Sequence, residues 1–276
     1  MGSRMLGEEL KVVDGAEAGA WIKAAIGGEF GAVSREVPKV FNAYARIFHR
    51  ATDSDGNHVT WGEVAERLGR TAHREMQWHQ LVGTPDTFGV EGSRWSGSIP
   101  SLGELEVEEL DRLCDVLADH TADPERCFFG LCLINSRLGS SLSGGDTGQP
   151  LLELPVGRDH VVLTGPLSAV DQLINTDMTG VTFACYVEPG QEPPDEQPEP
   201  DWTDPFWREA PHLIWPADRS WIVVSEVDFD STLVGGNREL VDALVAFPEL
   251  EVYEVEPDTS LAAFSDKINW VPEPDD

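Results

Sequence analysis

Lysine is nearly missing from this chain. Lys11, Lys23, Lys39 and Lys267 are the only four, and all basic residues together number 19 against 50 acidic ones. No basic run occurs anywhere. The formal charge of -31 repels nucleic-acid phosphates and anionic membrane surfaces. Direct nucleic-acid binding and membrane binding are therefore not expected. A basic protein partner fits the charge, and so does a plain solvated acidic surface.

Cysteine is scarce as well. Cys114, Cys127, Cys132 and Cys185 sit in apolar stretches, and none is paired in C-x-x-C spacing. They read as buried thiols in a reducing cytosol. Long apolar runs are missing: none reaches the roughly 18 residues that span a bilayer. No apolar segment follows Met1–Met5, so no signal peptide is expected and the cytoplasm is the expected location. The nucleophile elbow G-x-S-x-G, the phosphate loop G-x-x-x-x-G-K-[ST] and the dinucleotide fingerprint G-x-G-x-x-G are all missing. No cofactor and no metal are expected. No internal repeat is present.

What remains is a patterned globular chain of 276 residues, 41% of them hydrophobic. Residues 1–35 read as an N-terminal extension with a short helix over Ala16–Ile26. Val40–Arg50 alternates, with Asn42, Tyr44, Arg46 and Phe48 on one side, and reads as a strand or a helix. Asp53-Ser54-Asp55-Gly56-Asn57 is a turn that partly resembles a calcium loop but breaks its register after Asn57. Thr60 and Glu63 form a capping box ahead of a helix ending near Gly69. Leu105, Leu110, Leu113, Cys114 and Leu117 make one apolar helical stripe with acids opposite.

Further strands are expected over Phe128–Ile134, His160–Leu163, Val181–Val187, Trp221–Phe229 and Leu250–Val255. Helices are expected over Leu167–Ile174 and Arg238–Ala246. Residues 139–150 read as a Gly/Ser-rich loop. Residues 188–205 carry six prolines and seven acids with no basic residue, which reads as an extended solvated loop. Residues 271–276 read as a flexible tail. The expected fold is α+β: one domain over residues 36–270 with a mixed or mostly antiparallel sheet covered by helices. Two lobes joined at 188–205 are the alternative.

Two constellations stand out for chemistry. On the expected strand from Trp221, the residues Glu226, Asp228 and Asp230 alternate onto one face. Such carboxylates bind a hard cation, transfer protons, or simply face water. Trp78 and His79 follow Glu75 and His73 at near-helical spacing. They are a binding candidate, or they pack against Trp61. Nine tryptophans add a candidate interface, with Trp221 beside the acids.

Trp215-Pro216-Ala217-Asp218-Arg219-Ser220-Trp221 is followed by Glu226-Val227-Asp228-Phe229-Asp230-Ser231-Thr232-Leu233-Val234-Gly235-Gly236. With Tyr44–His49, Met76–His79 and Leu151–Pro155, these stretches resemble a family of uncharacterised acidic proteins from high-GC bacteria. The resemblance implies no activity, and it draws interest to Trp221, Glu226, Asp228 and Asp230. The expected function is a non-enzymatic protein-binding factor of immunity, inhibitor or accessory type. A metal-dependent or acid–base enzyme using the carboxylates of 221–230 is the alternative.

Overall fold

The computed structural model describes residues 9–134, 149–155, 157–174 and 210–272. The expected strand at 181–187, the acidic stretch 188–205, most of the Gly/Ser-rich loop, Cys185, Trp202 and Trp207 lie outside the described residues.

In chain order the elements begin with β1 (Lys11–Val13), α1 (Gly15–Ala18), α2 (Ala20–Ala25), α3 (Val33–Glu36) and β2 (Ala43–Phe48). A small hairpin, β3 (Ala51–Thr52) and β4 (His58–Val59), leads into α4 (Trp61–Leu68), α5 (Trp78–Leu81) and α6 (Val107–Ala118). Next come β5 (Cys127–Cys132), β6 (Leu152–Leu154), β7 (Arg158–Gly165), a 3-10 turn at Leu167–Ala169 and α7 (Val170–Ile174). The chain closes with β8 (Leu213–Pro216), β9 (Ile222–Val224), β10 (Ser231–Gly236), α8 (Arg238–Ala246) and β11 (Val252–Val255).

Nine strands form one sheet in the order β1-β7-β5-β8-β9-β10-β2-β11, with β6 also on β7. Every pairing described is antiparallel. The α+β class with a mostly antiparallel sheet is thus the observed one. β10 and β11 both pair with β2, one on each side. The strand–helix–strand unit at the C-terminal end is therefore a crossover that brackets an antiparallel strand.

The segment before residue 36 is no mere extension. Leu10 and Ile22 are buried, and β1 pairs residue for residue with β7 from Lys11↔Thr164 to Val13↔Val162. The apolar alternation is too short there to announce a strand, so only the waiting edge of β7 reveals it.

Both sheet faces are covered, which is why the central strands read as continuous apolar runs. One face packs Ala45, Ile47, Phe129, Leu163, Ile214 and Val234 under Leu110, Leu113 and Leu117 of α6 and Leu240 and Leu244 of α8. The other face sets Tyr44, Val162, Leu213, Trp215 and Leu233 against Ile22, Val33 and Val37. A third apolar cluster extends β2 beyond the sheet: Phe48 meets Trp61, Val64, Met76, Trp78 and Leu81. Its rings run in series, with centroids 4.5 Å apart for Phe48–Trp61, 5.3 Å for Trp61–Trp78 and 6.4 Å for Trp78–Trp95.

Candidate functional site

The residues between β9 and β10 carry the acids singled out from sequence. They do not continue a strand. β9 stops at Val224, and the Phe229 amide donates to the Glu226 carbonyl at 2.9 Å to close a turn. The three carboxylates consequently part company. Arg158 of β7 grips Glu226 through Nε and Nη2 at 2.8 and 2.6 Å, and Nη2 also reaches Asp228 at 2.5 Å. Asp230 turns away to Arg46 of β2, at 3.5 Å.

Arg46 is the least expected side chain in the molecule. It lies on the same face of β2 as Tyr44 and Phe48 and is 1% exposed. A buried guanidinium survives only when its donors are satisfied. Nε donates to Ser231 Oγ at 2.9 Å, and Nη1 donates to the Met76 carbonyl at 3.0 Å. Its plane lies over the Phe48 ring, 4.3 Å from the centroid. Burial lowers the Arg46 pKa to about 10 and raises that of Asp230, and the ion pair between them opposes both shifts.

Beside this pair is a cavity of about 250 Å³. Asp228, Phe229 and Asp230 line one side, Gln77, Trp78 and His79 another, and Phe88 and Leu102 sit at its edge. The loop carrying Phe88 is shaped by Asp86, whose carboxylate accepts the amides of Phe88, Val90 and Glu91 at 3.2, 2.9 and 2.8 Å. Gly89 lets that loop close on Trp78. Its φ is 73°, and a Cβ there would collide with the indole, so only glycine fits. Burial pushes the His79 pKa down.

Next to β10 a chain of hydroxyls ends on His49. Nδ1 faces the Ser101 carbonyl at 2.8 Å and must donate. Nε2 then accepts from Thr232 Oγ1 at 2.9 Å, and Thr232 in turn accepts from Ser225 Oγ at 2.7 Å, because a hydroxyl has one proton to give. Burial lowers the His49 pKa to about 4. On the far side of Ser225, near Arg158, a void of about 20 Å³ is lined by Glu36, His160 and His212. That is space for about one water. Burial and the neighbouring Glu226 raise the Glu36 pKa to about 7. Burial pushes His160 down to about 3 and His212 to about 4. Among the described residues no group of three or more His, Cys, Asp or Glu is placed to hold a metal ion.

Of the sequence candidates, Trp78, His79, Asp228 and Asp230 meet at the larger cavity. Glu226 lines the small void instead. Trp221 is fully buried in the sheet core, with no exposed face to offer a partner. The Trp78 indole also packs on Trp61. Arg46, Arg158 and Phe88 were not singled out. For Arg46 the signal was an arginine inside an apolar alternation. For Arg158 and Phe88 the sequence carries none: Arg158 acts on acids about 70 positions away, and Phe88 borders a cavity that distant segments close.

Compared with protein-family models, curated proteins and solved structures, the chain shows no match. No helix among the described residues is long and apolar enough to cross a membrane.

Proposed function

We propose that this chain is a non-enzymatic binding factor that engages a basic protein partner through its acidic surface. The observation that carries the reading is the outer face of α6, where Glu108, Asp111, Asp115 and Asp119 are all exposed along one stripe. Several basic side chains are already committed. Lys23, Lys39, Arg50, Arg112, Arg158 and Arg238 each lie against a carboxylate of their own. A stripe of one sign steers a partner of the other sign and makes association fast and salt-sensitive.

The alternative, catalysis by the carboxylates of 221–230, has less support. Glu226 and Asp228 share one guanidinium, and Asp230 faces another. Carboxylates divided between two guanidiniums in this way do not converge on one substrate atom. Membership of a family of uncharacterised acidic proteins from high-GC bacteria is part of the same proposal.

The test immobilises the full chain and exposes it to lysate at low and at physiological salt. A discrete basic protein, retained at low salt and released as salt rises, is expected. Charge reversal on α6 (Glu108→Lys with Asp115→Lys) is expected to lower its capture by about tenfold or more. Retention indifferent to both salt and reversal, or no retained protein, sinks the reading.

A further inference from the structure

The cavity beside Arg46 combines three properties. Its lining includes the aromatic residues Trp78, Phe88 and Phe229. Its edge is apolar and open to water, with Phe88 68% and Leu102 44% exposed. Acids outnumber arginines around it. Asp228 and Asp230 line it, and Asp86 and Asp266 act on His79 in its wall. Arg46, which also lines the cavity, faces Asp230, Arg158 faces Asp228, and His73 faces Asp266.

Neither arginine is available to a ligand. Arg46 is buried with its donors directed at Ser231, Met76 and Asp230. Arg158 is occupied by Glu226 and Asp228. Asp230 differs. Its distance of 3.5 Å to Arg46 is longer than the about 2.7–2.9 Å of a charge-assisted hydrogen bond. Its side chain is 21% exposed, so it retains capacity to accept from a second donor. A carboxylate beside aromatic faces is the environment in which an organic cation gains both a charge-assisted hydrogen bond and cation–π attraction.

We propose that this cavity is a binding site for a small organic amine, with its ammonium at Asp230 and its apolar body between Trp78, Phe88 and Phe229. The volume of about 250 Å³ falls just below the about 300–1,000 Å³ of drug-sized sites, which fits a body of one aromatic ring. The amine site is separate from the α6 stripe and does not depend on the protein partner proposed above.

The test uses the full chain in calorimetric titration and tryptophan fluorescence, at neutral pH and low salt. The probes are 2-phenylethylamine, the neutral 3-phenylpropan-1-ol and the anionic 3-phenylpropionate. The amine is expected to saturate one site, the alcohol to bind about tenfold more weakly, and the anion not to saturate. Phe88→Ala alters an exposed side chain and is expected to weaken amine binding by about fivefold to tenfold. Asp230→Asn is expected to weaken it by about tenfold or more. If Asp230→Asn fails to fold in a thermal melt, the probe series and Phe88→Ala decide alone. Glu108→Lys, on α6, is expected to leave amine binding unchanged while weakening partner capture, so the two proposals fail separately. Equal or tighter binding of the anion, amine binding untouched by Phe88→Ala, or no saturation by the amine overturns the site.

Discussion

Arg46 and Asp230 form an ion pair, fully buried on the Arg46 side, whose value lies in what its loss exposes. Replacing Arg46 with Met leaves the Asp230 carboxylate without its cation and strands Ser231 Oγ and the Met76 carbonyl. Loss of one partner from a buried pair costs about 3 kcal/mol or more. Chemical denaturation of Arg46→Met is expected to show that loss. The double variant with Asp230→Asn is expected to recover part of it, since the stranded charge is then gone.

Histidine sets the acid side of the stability curve. His49 and His212 are held near pKa 4 and His160 near 3 by burial, whereas an unfolded histidine titrates near 6.5. The unfolded chain therefore binds protons that the folded chain refuses. Their contribution is complete above about pH 6.5 and is lost as pH falls toward 4, at up to about 1.4 kcal/mol per pH unit for each. Glu36 and Glu109, both raised to about 7 mainly by burial, act with the opposite sign. The folded chain keeps their protons while the unfolded chain releases them, so they cost stability as pH rises from about 4.5 to 7. Urea unfolding across pH 4–7 is expected to show a shallower slope in His160→Gln and a steeper one in Glu109→Gln. The same slope in both variants and the parent would contradict this assignment.

Among the elements, α4 shows how a local signal is completed from afar. Thr60 and Glu63 cap it as the sequence indicates, with Thr60 Oγ1 accepting from the Glu63 amide and the Glu63 carboxylate accepting from the Thr60 amide at 2.7 Å. The next two amides, of Trp61 and Gly62, are taken by the Glu251 carboxylate at 2.6 and 2.8 Å. That acid stands just before β11. It anchors the Trp61 end of α4, and with it the aromatic series, to the sheet edge. Glu251→Ala is expected to cost about 1.5–3 kcal/mol, the value of hydrogen bonds to a charged group. Thr60→Ala is expected to cost about 1 kcal/mol. Thermal or denaturant melts of the two single variants check the order. Equal losses would mean that the distant acid contributes no more than the local cap.

The connection from β9 to β10 shows the reverse. Residues 221–230 alternate like a strand, yet the strand ends at Val224, and beyond it Glu226 and Asp228 turn to Arg158 while Asp230 turns to Arg46. Period two can be read from a run of side chains. The choice between continuing straight and bending toward Arg158 and Arg46 cannot, because those arginines lie about 70 and 180 positions away in sequence. The shared Arg158 contact of Glu226 and Asp228 was therefore hidden, although the residues themselves stood out.

At the scale of the whole molecule, charge of one sign is the dominant fact. A net -31 repels itself more in the folded chain than in the expanded one. Raising salt from about 0.01 to 0.15 M shortens the screening length from about 30 to 8 Å. The melting temperature is expected to rise over that range, read by a thermal scan. A fall would mean that the local ion pairs outweigh the general repulsion.

The sequence by itself determined the charge, the class of fold, the longer helices and the strands β5, β7, β9 and β11, but not β1, β6, β8 or β10. The cap at Thr60, the apolar stripe of α6, the buried run of β5 and the bounds of α8 are all set by neighbours within a turn or two of chain. Only the tertiary structure decided what those elements do together. It paired β2 with β10 and β11, placed β1 on β7, carried Arg46 to Asp230 and closed the Gly89 loop on Trp78. Side-chain periodicity tells a strand which face to bury and leaves its partner unspecified. A cavity built from six separate stretches of chain exists only once those partners have been chosen.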